Sequence, residues 1–233
     1  WRDVVWMESW PYAEVSNDKI VRKIAVIFVT DVVGFSKLME KNEDATLKSL
    51  RACRDILDRL FEEHGGRIFN TAGDSVLAEF QSAVSAVICA TEFQKLIKQR
   101  NQSVAEASQM RFRLGLNMGD VIVEGTNLYG DGVNVAARLE ALSQPGGVSL
   151  SKAIHDFVSQ KVELTFADLG SQKVKNTVLH AYDVTIDGLE ERVLETTTEP
   201  VKEIESKPPT IAVMPFKNMS NDEEQEYFAD GVT

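Results

Sequence analysis

Short apolar runs alternate with longer segments of helical periodicity along the chain, and only a few folds accommodate this alternation. Residues 23–31 are a β-branched apolar run ending in a polar residue, which is typical of a buried strand. Apolar residues then recur at helical spacing from Leu47 to Phe61, until His64-Gly65-Gly66 ends the helix. Continued along the chain, the pattern predicts the order βαββαβ. This is the ferredoxin-like split βαβ arrangement, an α+β fold whose mixed sheet is covered by helices on one face.

The remaining predicted elements complete this core and extend its C-terminal end. The sequence predicts a hairpin with its turn at Gly73-Asp74 and a second helix with apolar positions from Ala83 to Ile97. The further predicted elements are a strand pair over 110–118 and 121–123 hinged at Gly119-Asp120, a helix from Gly130-Asp131-Gly132 to about Leu142, a strand at 148–150, a short helix from Ser151, and strands at 162–169 and 181–184.

Composition divides the chain into a central domain and flanking segments. Residues 22–186 carry the strand and helix pattern, after a leader at 1–21 that lacks the basic region and apolar core of a signal peptide. The formal charge is −11, but residues 187–233 hold 12 acidic against four basic residues and carry most of it. We predict an acidic linker at 187–209, followed at 210–233 by the beginning of another domain.

Composition also argues against several classes of function. No apolar run approaches the ~20 residues that span a membrane, and no basic stripe indicates nucleic-acid binding. Cys53 and Cys89 both fall on apolar helix faces, which predicts reduced core thiols. His64, His155 and His180 have no companion at metal-ligand spacing and are predicted to be structural or solvated. We therefore expect a cytoplasmic protein that binds neither nucleic acid nor membrane.

Two aspartates are predicted to meet at one edge of the sheet. Asp31 ends the first strand, and Asp74 occupies the turn of the hairpin whose strands should lie beside it. Two carboxylates at neighbouring strand ends repel each other unless cations lie between them, and hard oxygen ligands suit Mg²⁺ or Mn²⁺. Aspartate is also common in turns, so the pair by itself leaves a purely structural role open.

Two further groups have the chemistry of nucleotide binding. Gly34-Phe35-Ser36 follows Asp31, and a glycine there lets the backbone turn so that amide groups at a helix start can hold phosphate oxygens. Capping of that helix by Ser36 is the structural alternative. Asn134 and Arg138 share one helical face, where an amide and a guanidinium suit a ribose and a charged phosphorus centre. An exposed polar face would show the same spacing.

Three segments together resemble the signature motifs of the class III adenylyl and guanylyl cyclases. They are Phe28-Val-Thr-Asp-Val-Val-Gly-Phe-Ser36, Asn70-Thr-Ala-Gly-Asp-Ser-Val-Leu-Ala-Glu-Phe80 and Tyr129-Gly-Asp-Gly-Val-Asn-Val-Ala-Ala-Arg138. The block Phe166-Ala-Asp-Leu-Gly170, followed by Lys173-Val-Lys175, resembles the phosphate-contacting segment of that family. The resemblance covers about residues 22–186 in the family's order. Residues 211–231 resemble the beginning of the TolB-like domains attached to many bacterial cyclases.

The resemblance implies a metal-dependent reaction. Asp31 and Asp74 match the family's two metal aspartates, and the Val32 carbonyl lends a further oxygen to a pair of Mg²⁺ or Mn²⁺ ions. In this family the ribose 3′-hydroxyl attacks the α-phosphorus and pyrophosphate leaves. The resemblance thus implies a lyase that makes a cyclic nucleotide for intracellular signal transduction.

The other half of the implied site lies further along the chain. Arg138 matches the arginine that stabilises charge at the α-phosphorus, and Asn134 matches the asparagine that orients the ribose. Lys175 matches the lysine on the terminal phosphates, although Asn176 replaces the glycine that often follows it. In the family this half and the metal aspartates come from opposite protomers. A chain with both halves therefore implies a homodimer with two shared sites.

The residues expected to read the base depart from the family pattern. Adenylyl cyclases of this class usually use a lysine and an aspartate or threonine, and the matching positions here are Asn70 and Asn127. Each asparagine offers a donor and an acceptor, so the pair suits adenine or, turned over, guanine. Neither position carries the glutamate typical of guanylyl cyclases. The resemblance implies an adenylate cyclase that uses ATP; a guanylate cyclase that uses GTP and a non-catalytic nucleotide-sensing module are the alternatives.

Overall fold

The computed structural model describes residues 20–175 and 177–186. The predicted linker at 187–209, the predicted beginning of a TolB-like domain at 210–233 and all but the last two residues of the predicted leader at 1–21 lie outside these ranges. In chain order the elements are strand β1 (Val21–Val32), helices α1 (Phe35–Lys41) and α2 (Glu43–His64), strands β2 (Gly66–Ala72) and β3 (Ser75–Phe80), helix α3 (Ala83–Gln102), a 3₁₀ turn (Glu106–Ser108), strands β4 (Phe112–Glu124) and β5 (Asn127–Tyr129), helix α4 (Asp131–Leu142), strand β6 (Val148–Ser151), helix α5 (Lys152–Val158), and strands β7 (Phe166–Val174) and β8 (Thr177–Val184).

All of these strands form one mixed sheet, as predicted. The strand order is β2-β3-β1-β4-β6-β8-β7, and β5 pairs with β4 outside this path. Neighbouring strands run antiparallel except β4 and β6, which are parallel. The order β2-β3-β1-β4, with α2 and α3 as the two connecting helices, is the predicted ferredoxin-like core of an α+β fold. The later elements extend it at the β4 side.

Helices lie on both faces of the sheet, so the prediction of a single covered face is wrong. α2 and α3 pack on the face that includes Phe28, where the ring of Phe61 meets the Phe28 ring edge-on with 5.2 Å between centroids. α4 lies on the opposite face, where Ala136 joins a buried cluster with Ile27. This approach is close because Gly115 of β4 has no side chain, and a Cβ atom there would lie 2.3 Å from the Ala136 carbonyl oxygen. Apolar periodicity marks the buried side of a helix but not the face of the sheet that it covers.

Strand β4 is continuous, and the predicted hinge at Gly119-Asp120 is wrong. β1 pairs with β4 along its whole length, with Gly119 opposite Ala25, so ladder hydrogen bonds keep these residues extended. The chain turns later, at Gly125, whose φ of 58° is left-handed. Asn127–Tyr129 then form β5, which the sequence did not predict because three residues are too few to show a periodic pattern.

The last two predicted strands are present with different bounds, and they form a hairpin. They cover Phe166–Val174 and Thr177–Val184, whereas the predicted strands were 162–169 and 181–184, so the first begins later than predicted and both extend further into the connecting turn. Beyond Gly170 both strands are largely solvated, with Ser171 and Lys173 exposed. A solvated ribbon lacks the apolar alternation on which the prediction depended.

Two further predictions concern burial and membranes. Cys53 and Cys89 are free thiols buried in the main core, as predicted. Burial raises the pKa of Cys89 to about 12, so this thiol stays protonated and unreactive. Within the described ranges, no helix is both long and apolar enough to cross a membrane. The cytoplasmic location stays a prediction.

Candidate active site

The two aspartates meet as predicted. Asp31 lies one residue before the end of β1, and Asp74 lies in the β2–β3 turn, where Gly73 has a left-handed φ of 62°. Because the start of β3 pairs with the end of β1, the turn that carries Asp74 lies beside the end of β1. The Val32 amide donates to Asp74 Oδ2 at 3.0 Å, and the Ser75 hydroxyl donates to Asp31 Oδ1 at 2.5 Å. Each aspartate thus accepts a hydrogen bond from the residue that follows the other aspartate in the chain.

The electrostatics of the pair suit a cation. Burial raises the pKa of Asp74 above its ordinary value, and a hydrogen bond with the Asp31 carboxyl and repulsion by its charge raise it further. The described residues contain no cluster of three or more His, Cys, Asp or Glu side chains that could enclose a metal ion. Two carboxylates fit Mg²⁺ or Mn²⁺, which commonly take one or two protein carboxylates and fill the other positions with water and substrate phosphates. The oxygen donors present thus fit the predicted ions.

The segment after Asp31 turns as predicted, but Ser36 does not cap the helix. Gly34 is left-handed with a φ of 69° and is itself the N-cap of α1, with no side-chain cap hydrogen bond. Its carbonyl accepts from the amides of Lys37 and Leu38. Phe35 packs partly against the main core, and Ser36 is exposed. The backbone turn beside the acidic pair leaves the first amides of α1 without an intrahelical acceptor.

Asn134 and Arg138 both lie on α4, one turn apart as predicted. Asn134 is exposed, whereas the Arg138 side chain is only 22% exposed. Arg138 Nη1 is buried and makes no hydrogen bond within the described chain. Its ion pair with Asp131 Oδ1 spans 3.6 Å, which is too long for a hydrogen bond. A half-buried guanidinium with a spare donor is equipped to hold an anion.

The remaining predicted residues lie on three separate elements. Asn70 is exposed on the edge strand β2, just after a bulge, and Asn127 begins β5 with its Nδ2 3.3 Å from the Tyr129 hydroxyl. Lys175 is exposed at the β7–β8 turn with a left-handed φ of 53°, and Asn176 lies outside the described residues. Within the described chain, no hydrogen bond or ion pair joins these side chains to one another, or joins Asn134, Arg138 or Lys175 to the acidic pair.

Residues 17–185 match the family described as the adenylate and guanylate cyclase catalytic domain. The chain belongs to this family.

Two proteins share more than one-third sequence identity with this cyclase domain. Putative adenylate cyclase 3 of Rhizobium meliloti is 42% identical over 222 residues, which are 94% of this chain and 38% of that protein. The chain therefore spans well under half the length of this relative. The crystal structure of an adenylate/guanylate cyclase/hydrolase from Silicibacter pomeroyi is 37% identical, covers 72% of this chain and 99% of that chain, and has a TM-score of 0.67.

The adenylyl cyclase CyaB from P. aeruginosa shares the fold. It is 24% identical with a TM-score of 0.62, and the match covers 75% of this chain and 98% of that chain.

Sequence reasoning missed three charged residues around the acidic pair of the cyclase domain. Arg113 lies opposite Asp31 in the β1–β4 ladder, and its Nε is buried without a hydrogen-bond partner in the described chain. Burial, and then the charge of Asp31, raises the pKa of Glu140 on α4 to about 7. Arg54 of α2 contacts the turn that carries Asp74. No local sequence pattern predicts these three positions, because each residue approaches the acidic pair from an element that is distant in the chain.

Proposed function

We propose that this domain converts ATP to 3′,5′-cyclic AMP and pyrophosphate, at two equivalent sites shared between two copies of the chain, in intracellular signal transduction. The observation that carries the proposal is the acidic pair, Asp31 and Asp74, held beside the Gly34 turn with the pKa of Asp74 raised. Two carboxylates this close repel each other unless a cation binds between them. The 42% identical relative, a putative adenylate cyclase, favours ATP as the substrate.

The first half of the proposed site binds the metal ions and the phosphates. The Asp31 and Asp74 carboxylates, with the Val32 carbonyl, would hold two Mg²⁺ or Mn²⁺ ions per site. Bound there, the ions supply Lewis acidity toward the 3′-hydroxyl and neutralise charge on the triphosphate. The backbone amides of Phe35 and Ser36, after the turn at Gly34, are available to phosphate oxygens.

The second half of the site acts on the reacting phosphorus and the leaving group. Arg138 donates to oxygens of the α-phosphate as the 3′-hydroxyl loses its proton to solvent, its oxygen bonds to phosphorus, and the bond from phosphorus to the leaving pyrophosphate breaks. Asn134 orients the ribose, and Lys175 contacts the terminal phosphates and favours departure of pyrophosphate. Within one chain, neither the Arg138 guanidinium nor the Lys175 ammonium group contacts the acidic pair. Arg138 Nη1 also makes no hydrogen bond within the described residues. A second copy that brings these groups to the acidic pair is the simplest way to complete the site.

A complementation experiment tests the shared site. Asp31→Ala and Arg138→Ala chains are expected to be inactive alone. When they are mixed and re-paired, each heterodimer regains one intact site while its other site carries both lesions. Random pairing then yields about one quarter of wild-type activity. The matched control is a mixture of Asp31→Ala with Asp74→Ala, which damages the same half of both sites and must stay inactive. If heterodimers form in the first mixture without activity, the shared-site proposal is wrong.

The choice of base depends on Asn70 and Asn127, which stand where adenylyl cyclases of this class usually have a lysine and an aspartate or threonine. Asn127 Nδ2 contacts the Tyr129 hydroxyl, and within the described residues Asn127 Oδ1 makes no hydrogen bond and is available as an acceptor. An acceptor there suits the adenine N6 amino group, but it also suits guanine N1–H. We therefore expect ATP to be preferred and GTP to be a measurable competitor. The test is to incubate the purified chain with Mn²⁺ and either ATP or GTP and to measure the cyclic nucleotide formed. Nucleotide binding without a cyclic product would favour the non-catalytic sensing module instead.

A further inference from the structure

Arg54 connects helix α2 to the turn that carries Asp74. Its Nη2 atom lies 3.3 Å from the carbonyl oxygen of Gly73, 3.3 Å from that of Asp74 and 3.2 Å from that of Ser75. Three consecutive carbonyls, those of the two turn residues and of the first residue of β3, thus converge on a single guanidinium nitrogen. Such an arrangement fixes the position of the backbone on both sides of Asp74.

The contact with Arg54 offsets the repulsion between neighbouring carbonyl groups at the turn. Carbonyl groups that point the same way repel one another, and those in a turn lack a ladder partner. A positively charged group attracts several of these carbonyl oxygens at once, and here the two N–H groups of one nitrogen are shared among three oxygens. Burial lowers the pKa of Arg54, and the charges of Asp58 and Asp74 oppose that shift. A guanidinium titrates so far above neutral pH that it stays charged here.

The contact lies behind the acidic pair, on the backbone of the turn rather than on the carboxyl groups. The Asp74 carboxyl is directed to the end of β1, where Oδ2 accepts from the Val32 amide at 3.0 Å. The turn glycine, Gly73, is exposed and left-handed. The turn is therefore held by the strand ends, by the hydrogen bonds that join Asp74 to Val32 and Ser75 to Asp31, and by Arg54. Without the guanidinium, the turn could shift and carry Asp74 away from Asp31.

We propose that Arg54 is a positioning residue, which holds the β2–β3 turn so that the Asp74 carboxylate faces Asp31 at the separation that a divalent cation requires. The proposal rests on the cation-binding role assigned to these aspartates under the proposed function. Arg54 itself does not contact the substrate or the ions. Its removal changes the geometry of the pair and leaves the donors in place.

The experiment compares Arg54→Met, Arg54→Lys and a matched control, Arg59→Met, in the full chain. Methionine keeps an apolar stem of similar reach and removes the donors, whereas lysine restores a charged donor. Arg59 lies on the same helix, but its Nε donates to the Asp55 carbonyl of α2 at 3.1 Å, and no hydrogen bond joins it to the turn. Four quantities are measured: amide hydrogen exchange of residues 66–80 without metal, Mn²⁺ binding with 3′-deoxy-ATP present, kcat and KM at graded Mn²⁺ concentrations, and the melting temperature.

We expect Arg54→Met to exchange faster within residues 66–80 alone and to bind Mn²⁺ more weakly. Its kcat/KM should fall between about 10- and 100-fold, the loss expected when a reacting group is displaced by up to 1 Å. Arg54→Lys should recover part of each property, and Arg59→Met should match the wild type. If Arg54→Met fails to fold, Arg54→Gln, whose amide can donate to only some of these carbonyls, takes its place.

The outcomes separate this proposal from the function on which it rests. Wild-type exchange and Mn²⁺ binding in Arg54→Met would overturn the positioning role. Faster exchange across the whole domain, with a matching drop in melting temperature, would also overturn it, because Arg54 would then only stabilise the fold. If the wild type makes no cyclic nucleotide, the proposed function fails, while exchange and Mn²⁺ binding still decide the role of Arg54.

Discussion

Replacing Gly115 with alanine would force α4 away from the sheet. The new Cβ atom would lie 2.1 Å from the Glu140 amide nitrogen and 2.3 Å from the Ala136 carbonyl oxygen, and neither backbone atom can rotate aside. Ordinary contact begins near 3.4 Å, so α4 must retreat by about 1.3 Å. Overpacking of this kind should lower the free energy of unfolding by about 3 kcal/mol. For a domain of this size, the melting temperature should fall by about 6–12 °C.

Gly119→Ala is the matched control for this substitution. Gly119 lies on the same strand and the same face, but its new Cβ atom would lie 3.3 Å from Asn117 Nδ2 and 3.5 Å from the Gly132 Cα, so a small shift of its neighbours accommodates it. We expect its stability to stay within about 1 kcal/mol of the wild type. Thermal unfolding followed by circular dichroism measures both variants.

The same displacement should affect catalysis, because α4 carries Asn134 and Arg138. At a temperature well below both unfolding transitions, Gly115→Ala should lose about 100-fold in kcat, and Gly119→Ala should lose little. Equal melting temperatures for the two variants would refute the reasoning, since α4 could not then rest on the β4 backbone as described. A destabilised but fully active Gly115→Ala would refute only the link between the position of α4 and activity.

Three further predictions concern charges around the site. Asp74→Asn should abolish cyclisation yet leave the metal-free protein at least as stable at pH 8, since the amide still accepts from Val32 and no longer repels Asp31; a large drop in melting temperature would contradict this. Asn70→Lys combined with Asn127→Asp should raise the ratio of kcat/KM for ATP over GTP, and an unchanged ratio would mean that other residues select the base. The raised pKa of Glu140 means that the folded state holds its proton longer, so the wild type should lose stability as pH rises from about 4.5 to about 7. Glu140→Gln removes that loss and should gain about 1–2 kcal/mol at pH 8, after allowance for solvent screening, and little at pH 5, as measured by urea unfolding.

The acidic pair shows what local sequence can determine. The strand that ends near Asp31 is marked by a β-branched run, and the turn at Gly73-Asp74 is marked by a glycine that adopts a left-handed φ of 62°. Both signals depend on neighbouring residues only, so they can be read without the fold. Once the order βαββαβ places the hairpin beside the first strand, the meeting of Asp31 with Asp74 follows. The spacing of Asn134 and Arg138 on one helical face is equally local.

Residues that act across elements could not be predicted in this way. The approach of α4 depends on the missing side chain of Gly115, and it brings Glu140 close to Asp31 from a distant part of the chain. In the sequence, Arg54 cannot be distinguished from a solvated arginine of α2. Only the packing of α2 against the β2–β3 turn brings its side chain to the carbonyls around Asp74. Periodicity records which side of an element is apolar, because burial selects for it. It doesn't record which partner that side meets, because many partners bury the same apolar area, and only close packing of the backbones distinguishes them.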